Sequence, residues 1–186
     1  MDLRYAVRVS ASIMVVASCL LLSAVVSAQD AFKATTVIFV RHAEKQDVPG
    51  SDPPLTSEGE ARAKNLARIL APTGIKAVFT SQFIRTKETG RPTAEMAGVT
   101  ATVVPLASDP SDRRKLAQES IKGVVDGVYR HQGGAVLVVS HTNTIGALIS
   151  ALGGETIAEI PESDYDNLLV VTVYAKGKAH VSRLRY

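Results

Sequence analysis

Residues 36–44 read Thr36-Val37-Ile38-Phe39-Val40-Arg41-His42-Ala43-Glu44. The first five are β-branched or aromatic, the composition of a strand covered on both faces of a parallel sheet. Strands of that kind deliver their carboxyl ends to the crevice where open α/β sheets bind ligands. An arginine and a histidine delivered there together suit an anionic group that must be held and attacked. A second run, Ala135-Val136-Leu137-Val138-Val139-Ser140-His141, ends in the same way. Two strand-end histidines and a strand-end arginine make a phosphate site the first functional expectation.

Outward from these runs, the chain past residue 30 alternates strand-like and helix-like segments, which predicts an α/β domain with a mostly parallel sheet. A polar loop from Gln46 to Pro54 follows the first strand. Thr56 then reads as the N-cap of a helix, with Glu58 and Glu60 in the first turn and a stop near Pro72 and Gly74. A short strand is expected at Ala77 to Thr80, followed by a polar segment holding Arg85. The next helix, Glu88 to Met96, has to accommodate Pro92. Residues 100–105 are a strand candidate, and helices are expected from about Ser111 to Arg130 and from Thr144 to Leu152. Leu168 to Tyr174 and Ala179 to Leu184, joined around Lys176-Gly177-Lys178, predict a hairpin at the sheet edge.

The 186 residues suit one domain with a real core, and 46% hydrophobic against 21% charged residues argues against disorder. The net charge of +3 is spread out, so nothing in it points to nucleic acid. Residues 1–28 stand apart. Arg4 and Arg8 precede an uncharged stretch that ends Val26-Ser27-Ala28 before Gln29-Asp30, the pattern of a secretory signal peptide. The expected organisation is a signal peptide over 1–28 and a catalytic domain over 29–186, giving a periplasmic or secreted protein. Two other readings stay open: lipidation at Cys19, and an uncleaved membrane anchor of about 20 residues. Only those two would bring a membrane in. Cys19 is the only cysteine, so the domain after residue 28 has no disulfide and no thiol chemistry.

Four short motifs carry a resemblance. Arg41-His42-Ala43-Glu44 resembles the Arg-His-Gly-Glu signature of the histidine phosphatase (phosphoglycerate mutase-like) superfamily. Leu55-Thr56-Ser57-Glu58-Gly59 is similar to its Leu-Thr-x-x-Gly helix start. Ser81-Gln82-Phe83-Ile84-Arg85-Thr86-Lys87-Glu88-Thr89 is similar to its second arginine motif, and Val138-Val139-Ser140-His141 to the strand carrying its second histidine. The motifs occur in family order across the domain. The resemblance implies a phosphoglycerate mutase-like fold, a three-layer α/β sandwich with a mostly parallel central sheet, in a small single-domain member. Ala43 stands where the family carries glycine, and alanine is expected to fit there.

The chemistry these residues permit can be stated without the family. A neutral histidine nitrogen can attack phosphorus in line and split hydrolysis into two easier steps through a phosphohistidine. The other ring nitrogen then needs a fixed acceptor, often a backbone carbonyl, to set the tautomer. Arginine forks stabilise equatorial phosphate oxygens bidentately. His42 is the expected nucleophile and His141 its catalytic partner. Arg41 and Arg85 are expected on the phosphate, with the backbone N–H of Thr142 at a helix start. Each preorganised donor of this kind is worth about 3–4 kcal/mol of barrier. No cofactor is implied, and no His/Cys/Asp group at ligand spacing implies a metal.

The proton donor to the leaving oxygen is less defined. Many family members carry a glutamate after the strand that follows the second arginine motif, and another branch places an acid directly after the second histidine. Thr142 closes the second option here, and Asp109 is the first acid at the other place. Glu44 and Lys45 serve either substrate or a solvated loop, and a loop bearing Asp164, Tyr165 and Asp166 is a guess for an overhang of the pocket. The expected partner is a phosphorylated small molecule or phosphoprotein. Competing readings are a small phosphorelay-type phosphohistidine phosphatase and a non-catalytic anion-binding envelope protein. A mutase would need richer substrate-holding insertions than this chain has.

Overall fold

In a computed structural model, residues 32–106, 113–158 and 160–186 are described. The expected signal peptide, Cys19 and Asp109 lie outside them. Among the described residues, six strands form one sheet: β1 (Thr35–Arg41), β2 (Ile75–Thr80), β3 (Thr102–Val103), β4 (Ala135–Ser140), β5 (Asn167–Ala175) and β6 (Lys178–Arg185). Four α-helices among the described residues connect them: α1 (Ser57–Leu70), α2 (Ile84–Ala97), α3 (Arg113–Arg130) and α4 (Thr142–Ala151). The strand order is β3-β2-β4-β1-β5-β6. β1, β4, β2 and β3 are parallel neighbours, while β5 runs antiparallel to both β1 and β6. The expected edge hairpin is therefore β5–β6.

The two strand runs read as covered on both faces are so. Every residue of β4 is buried, and β1 exposes only part of Thr36. Alternate residues serve opposite layers. Ile38, Val40, Leu137 and Val139 share a cluster with Leu66 and Leu70 of α1 and Ala94 of α2. Phe79, of opposite parity to Val78, meets α3 instead: a Cβ on Gly127 would lie 2.5 Å from its ring. Helices on both faces of the sheet make the three-layer α/β sandwich expected. In α1 the buried residues Gly59, Ala63, Leu66, Ala67 and Leu70 recur at helical spacing, one stripe facing the sheet. Burying each large side chain contributes about 1.5–3 kcal/mol.

The chain leaves β1 toward β2 on one side and leaves β4 toward β5 on the other. The carboxyl ends of these adjacent strands therefore form the topological switch point, where the connecting loops part and leave a crevice. Some boundaries differ from expectation. α2 begins at Ile84 and continues through Pro92, so Arg85 sits in its first turn rather than in a polar segment. α4 begins at Thr142 rather than Thr144, and β3 is only two residues long.

Candidate active site

β1 and β4 pair with Arg41 opposite Ser140, and the His42 N–H extends that ladder by donating to the Ser140 carbonyl at 3.0 Å. His42 and His141 consequently leave the sheet side by side, their ring centroids 5.3 Å apart and edge-on. The His42 Nδ1 is 2.8 Å from the Ala43 carbonyl oxygen. A carbonyl only accepts, so the neutral ring carries its proton on Nδ1 and keeps a lone pair on Nε2. Burial pulls the His42 pKa down from its ordinary 6.5 to about 4, and the charges of Arg41 and Arg85 push the same way. Burial likewise takes His141 to about 3, with His42 and the two arginines adding to it. Both rings are thus neutral near pH 7. His141 Nε2 is held 3.1 Å from Ser81 Oγ, itself 2.8 Å from Thr86 Oγ1.

The remaining motif residues fix the backbone beneath His42. Thr89 Oγ1 accepts the Ala43 N–H at 2.9 Å and donates to the Arg85 carbonyl at 2.7 Å. Ala43 is fully buried in a small cluster with Leu55 and Ala63, so alanine does fit where the family has glycine. The Glu44 carboxylate is gripped by Arg62, whose Nε lies 2.7 and 2.9 Å from its two oxygens, which assigns Glu44 to structure rather than to substrate. The Glu44 carbonyl accepts the Thr56 N–H at 2.9 Å, and Thr56 Oγ1 caps α1 by accepting from Gly59 N–H at 3.1 Å. A Cβ on Gly59 would lie 2.2 Å from the Glu44 oxygen. The Leu-Thr-x-x-Gly pattern thus pairs a helix cap with a helix that packs backbone to backbone on the histidine loop.

Both arginines reach the site, each with a carboxylate the sequence did not single out. Arg41 is only 2% exposed. Its Nη2 donates to the Glu162 carboxylate and its Nη1 to the Glu162 carbonyl, while the Tyr165 ring stacks 4.2 Å from its Cζ. The Thr142 hydroxyl donates to the other Glu162 carboxylate oxygen at 2.6 Å. That bond, with Arg41 behind it, holds the Glu162 pKa below the usual carboxylate range. Arg85 stacks on Phe83 at 4.3 Å and lies 3.6 Å from Asp52, which also accepts the Ile84 N–H at 2.7 Å. Among the described residues, Nε of Arg41 and Nε of Arg85 are buried and have no acceptor. Buried cationic donors left open in this way are an anion's natural partners.

A cleft of about 700 Å³ lies at this end of the sheet, its polar wall including His42, Arg85, His141, Thr142 and Glu162. Lys45 also faces it; Arg41, covered by Glu162, does not line it. Tyr165, a guess for an overhang, stands beside the site, its ring 6.3 Å from that of His42. Among the described residues, no three or more His, Cys, Asp or Glu side chains gather to hold a metal ion.

Two histidines and Arg41 at adjacent strand ends, with Arg85 in the first turn of α2, thus gather at one end of the sheet. Residues 37–109 match the family model of the histidine phosphatase superfamily (branch 1). That stretch carries Arg41, His42, the Leu-Thr-x-x-Gly helix start and the second arginine motif. No curated protein matches the chain. Solved structures share its fold over most of their length. A phosphoglycerate mutase from Bacillus anthracis is 17% identical, covering 83% of this chain and 94% of its own, with a TM-score of 0.62. The protein histidine phosphatase SixA, complexed with tungstate, is 21% identical, covering 81% and 96%, with a TM-score of 0.59. A mycobacterial glucosyl-3-phosphoglycerate phosphatase is 16% identical, covering 83% and 99%, with a TM-score of 0.57. At these identities the likeness establishes the phosphoglycerate mutase-like fold.

Proposed function

We propose that the protein is a phosphatase that hydrolyses a phosphomonoester, on a small molecule or a protein, through a phosphohistidine on His42. The observation that carries this reading is the His42 ring, held by the Ala43 carbonyl on Nδ1 and left with a free lone pair on Nε2. In the first step Nε2 attacks phosphorus, the N–P bond forms, and the ester P–O bond breaks. Arg41 and Arg85 balance the charge on the equatorial oxygens, with neutral His141 and the Thr142 N–H at the start of α4 as further hydrogen-bond donors. The leaving oxygen takes a proton, for which Asp109 is the proposed donor; such a group contributes about 10²–10⁴-fold. Water then gives a proton back to the Asp109 carboxylate as it attacks phosphorus, the N–P bond breaks, and inorganic phosphate leaves with His42 and Asp109 restored.

Residues 1–28 in this reading direct export and are removed after Ala28, which turns the site toward phosphoesters outside the cytoplasm. Turnover of p-nitrophenyl phosphate by the purified protein, with and without chelator, tests the activity. Hydrolysis that survives the chelator and disappears in His42→Asn supports it. Phosphate binding without hydrolysis of any phosphomonoester would favour the anion-binding alternative.

A further inference from the structure

We infer that Glu162 is a resident competitor for the phosphate site, a carboxylate that occupies Arg41 until the substrate phosphoryl group displaces it. The inference rests on the phosphatase reading and adds a determinant of substrate affinity to it. Three observations carry it. The Glu162 carboxylate bridges Arg41 Nη2 and the Thr142 hydroxyl, so it bonds the side chains of two residues assigned to phosphate. It faces the cleft, with Lys45 also on that wall, whereas the guanidinium of Arg41 is shut off from it. Finally, the Glu162 side chain is 76% exposed although its partner is 2% exposed, so it can rotate into solvent without disturbing the core.

The backbone makes the exchange possible without loss of Arg41. Nη1 donates to the carbonyl of Glu162 and lies 3.5 Å from that of Pro161, and Tyr165 covers the guanidinium face. Those contacts persist when the carboxylate leaves, so Nη2 and the open Nε can turn to a phosphate oxygen in an unchanged frame. Asp52 differs in kind. It caps α2 through the Ile84 N–H and stands at a longer distance from Arg85, so it positions that arginine rather than blocking it. A dianionic phosphoryl group outbids one carboxylate for a guanidinium through its charge and its three oxygens. A singly charged anion gains less, so Glu162 discriminates in favour of the dianion.

The test is titration of inorganic phosphate into the full chain, Glu162→Gln and Glu162→Ala, by calorimetry. Because the pair is exposed on one side, phosphate is expected to bind both variants about three- to tenfold tighter than the wild type. KM for p-nitrophenyl phosphate should fall in parallel. Unchanged or weaker phosphate binding in the two variants, with wild-type binding intact and lost in Arg41→Ala, would overturn the inference alone. Wild-type protein that binds phosphate no better than Arg41→Ala would instead remove the phosphate-site reading on which it rests.

Discussion

Thr89 Oγ1 accepts the Ala43 N–H at 2.9 Å, and that bond ties the helix bearing Arg85 to the turn bearing His42. Both residues are fully buried, so water cannot replace the contact. The same Ala43 supplies the carbonyl that sets the His42 tautomer. One peptide segment thus transmits the position of α2 to the ring nitrogen.

Thr89→Val should therefore cost both stability and turnover. It keeps the volume but leaves a buried N–H without an acceptor, which costs about 1–3 kcal/mol. Denaturant unfolding should show that loss, and kcat should fall more than KM changes. A destabilised variant with full kcat would show that His42 is oriented without this bond.

Gly59→Ala should destabilise the domain even though alanine favours a helix by about 1 kcal/mol over glycine. Its Cβ would stand 2.2 Å from the Glu44 oxygen and 3.0 Å from the Glu44 nitrogen, and backbone cannot swing aside. Overpacking of this sort costs about 1–3 kcal/mol, so the net sign is unfavourable. A variant as stable as the wild type, measured by thermal or denaturant unfolding, would mean that α1 can slide off the histidine loop freely.

The strand runs were legible because burial on both faces removes alternation and leaves apolar stretches, in β1 and β4 alike. The start of α2 was not. Its N-cap is Phe83, which offers no side-chain acceptor, and the missing cap comes from Asp52, 32 residues earlier in the chain. Pro92 within the helix further disguised it. Glu162 was hidden for another reason. Only the antiparallel pairing of β5 with β1, which sets Leu168 opposite Val40, brings the loop before β5 over the end of β1. No local pattern announces that pairing. Arg41, His42 and His141 were legible because each follows an apolar strand run, and Arg85 because it lies within the Ser81–Thr89 motif.

Acid should destabilise the fold through the histidines. Buried rings with pKa values of about 4 and about 3 refuse protons that an unfolded histidine binds below about 6.5. Between pH 6.5 and 4 the unfolded state holds more protons, so stability falls as pH falls, by up to about 1.4 kcal/mol per pH unit for each histidine. Unfolding free energies at pH 7 and pH 5 should show a smaller acid loss for His141→Asn than for the wild type. An equal loss in both would contradict the neutral, buried state of His141.

The N-terminal reading predicts a mature chain that starts at Gln29, recovered outside the cytoplasm. Mass-spectrometric sequencing of the N-terminus checks it. An acylated Cys19 would make the protein a lipoprotein, an intact Met1 in the membrane fraction would make residues 1–28 an anchor, and a full-length cytosolic protein would remove export altogether.

In the proposed mechanism His42 Nε2 becomes covalently bonded to phosphorus. Rapid acid-free quenching with labelled p-nitrophenyl phosphate analogues, followed by peptide mapping, tests it most directly. An acid-labile, base-stable phosphoryl group is expected on the peptide containing His42, absent from His42→Asn, which should retain the fold and lose nearly all turnover. Label on a serine or threonine, or undiminished turnover in His42→Asn, would contradict it.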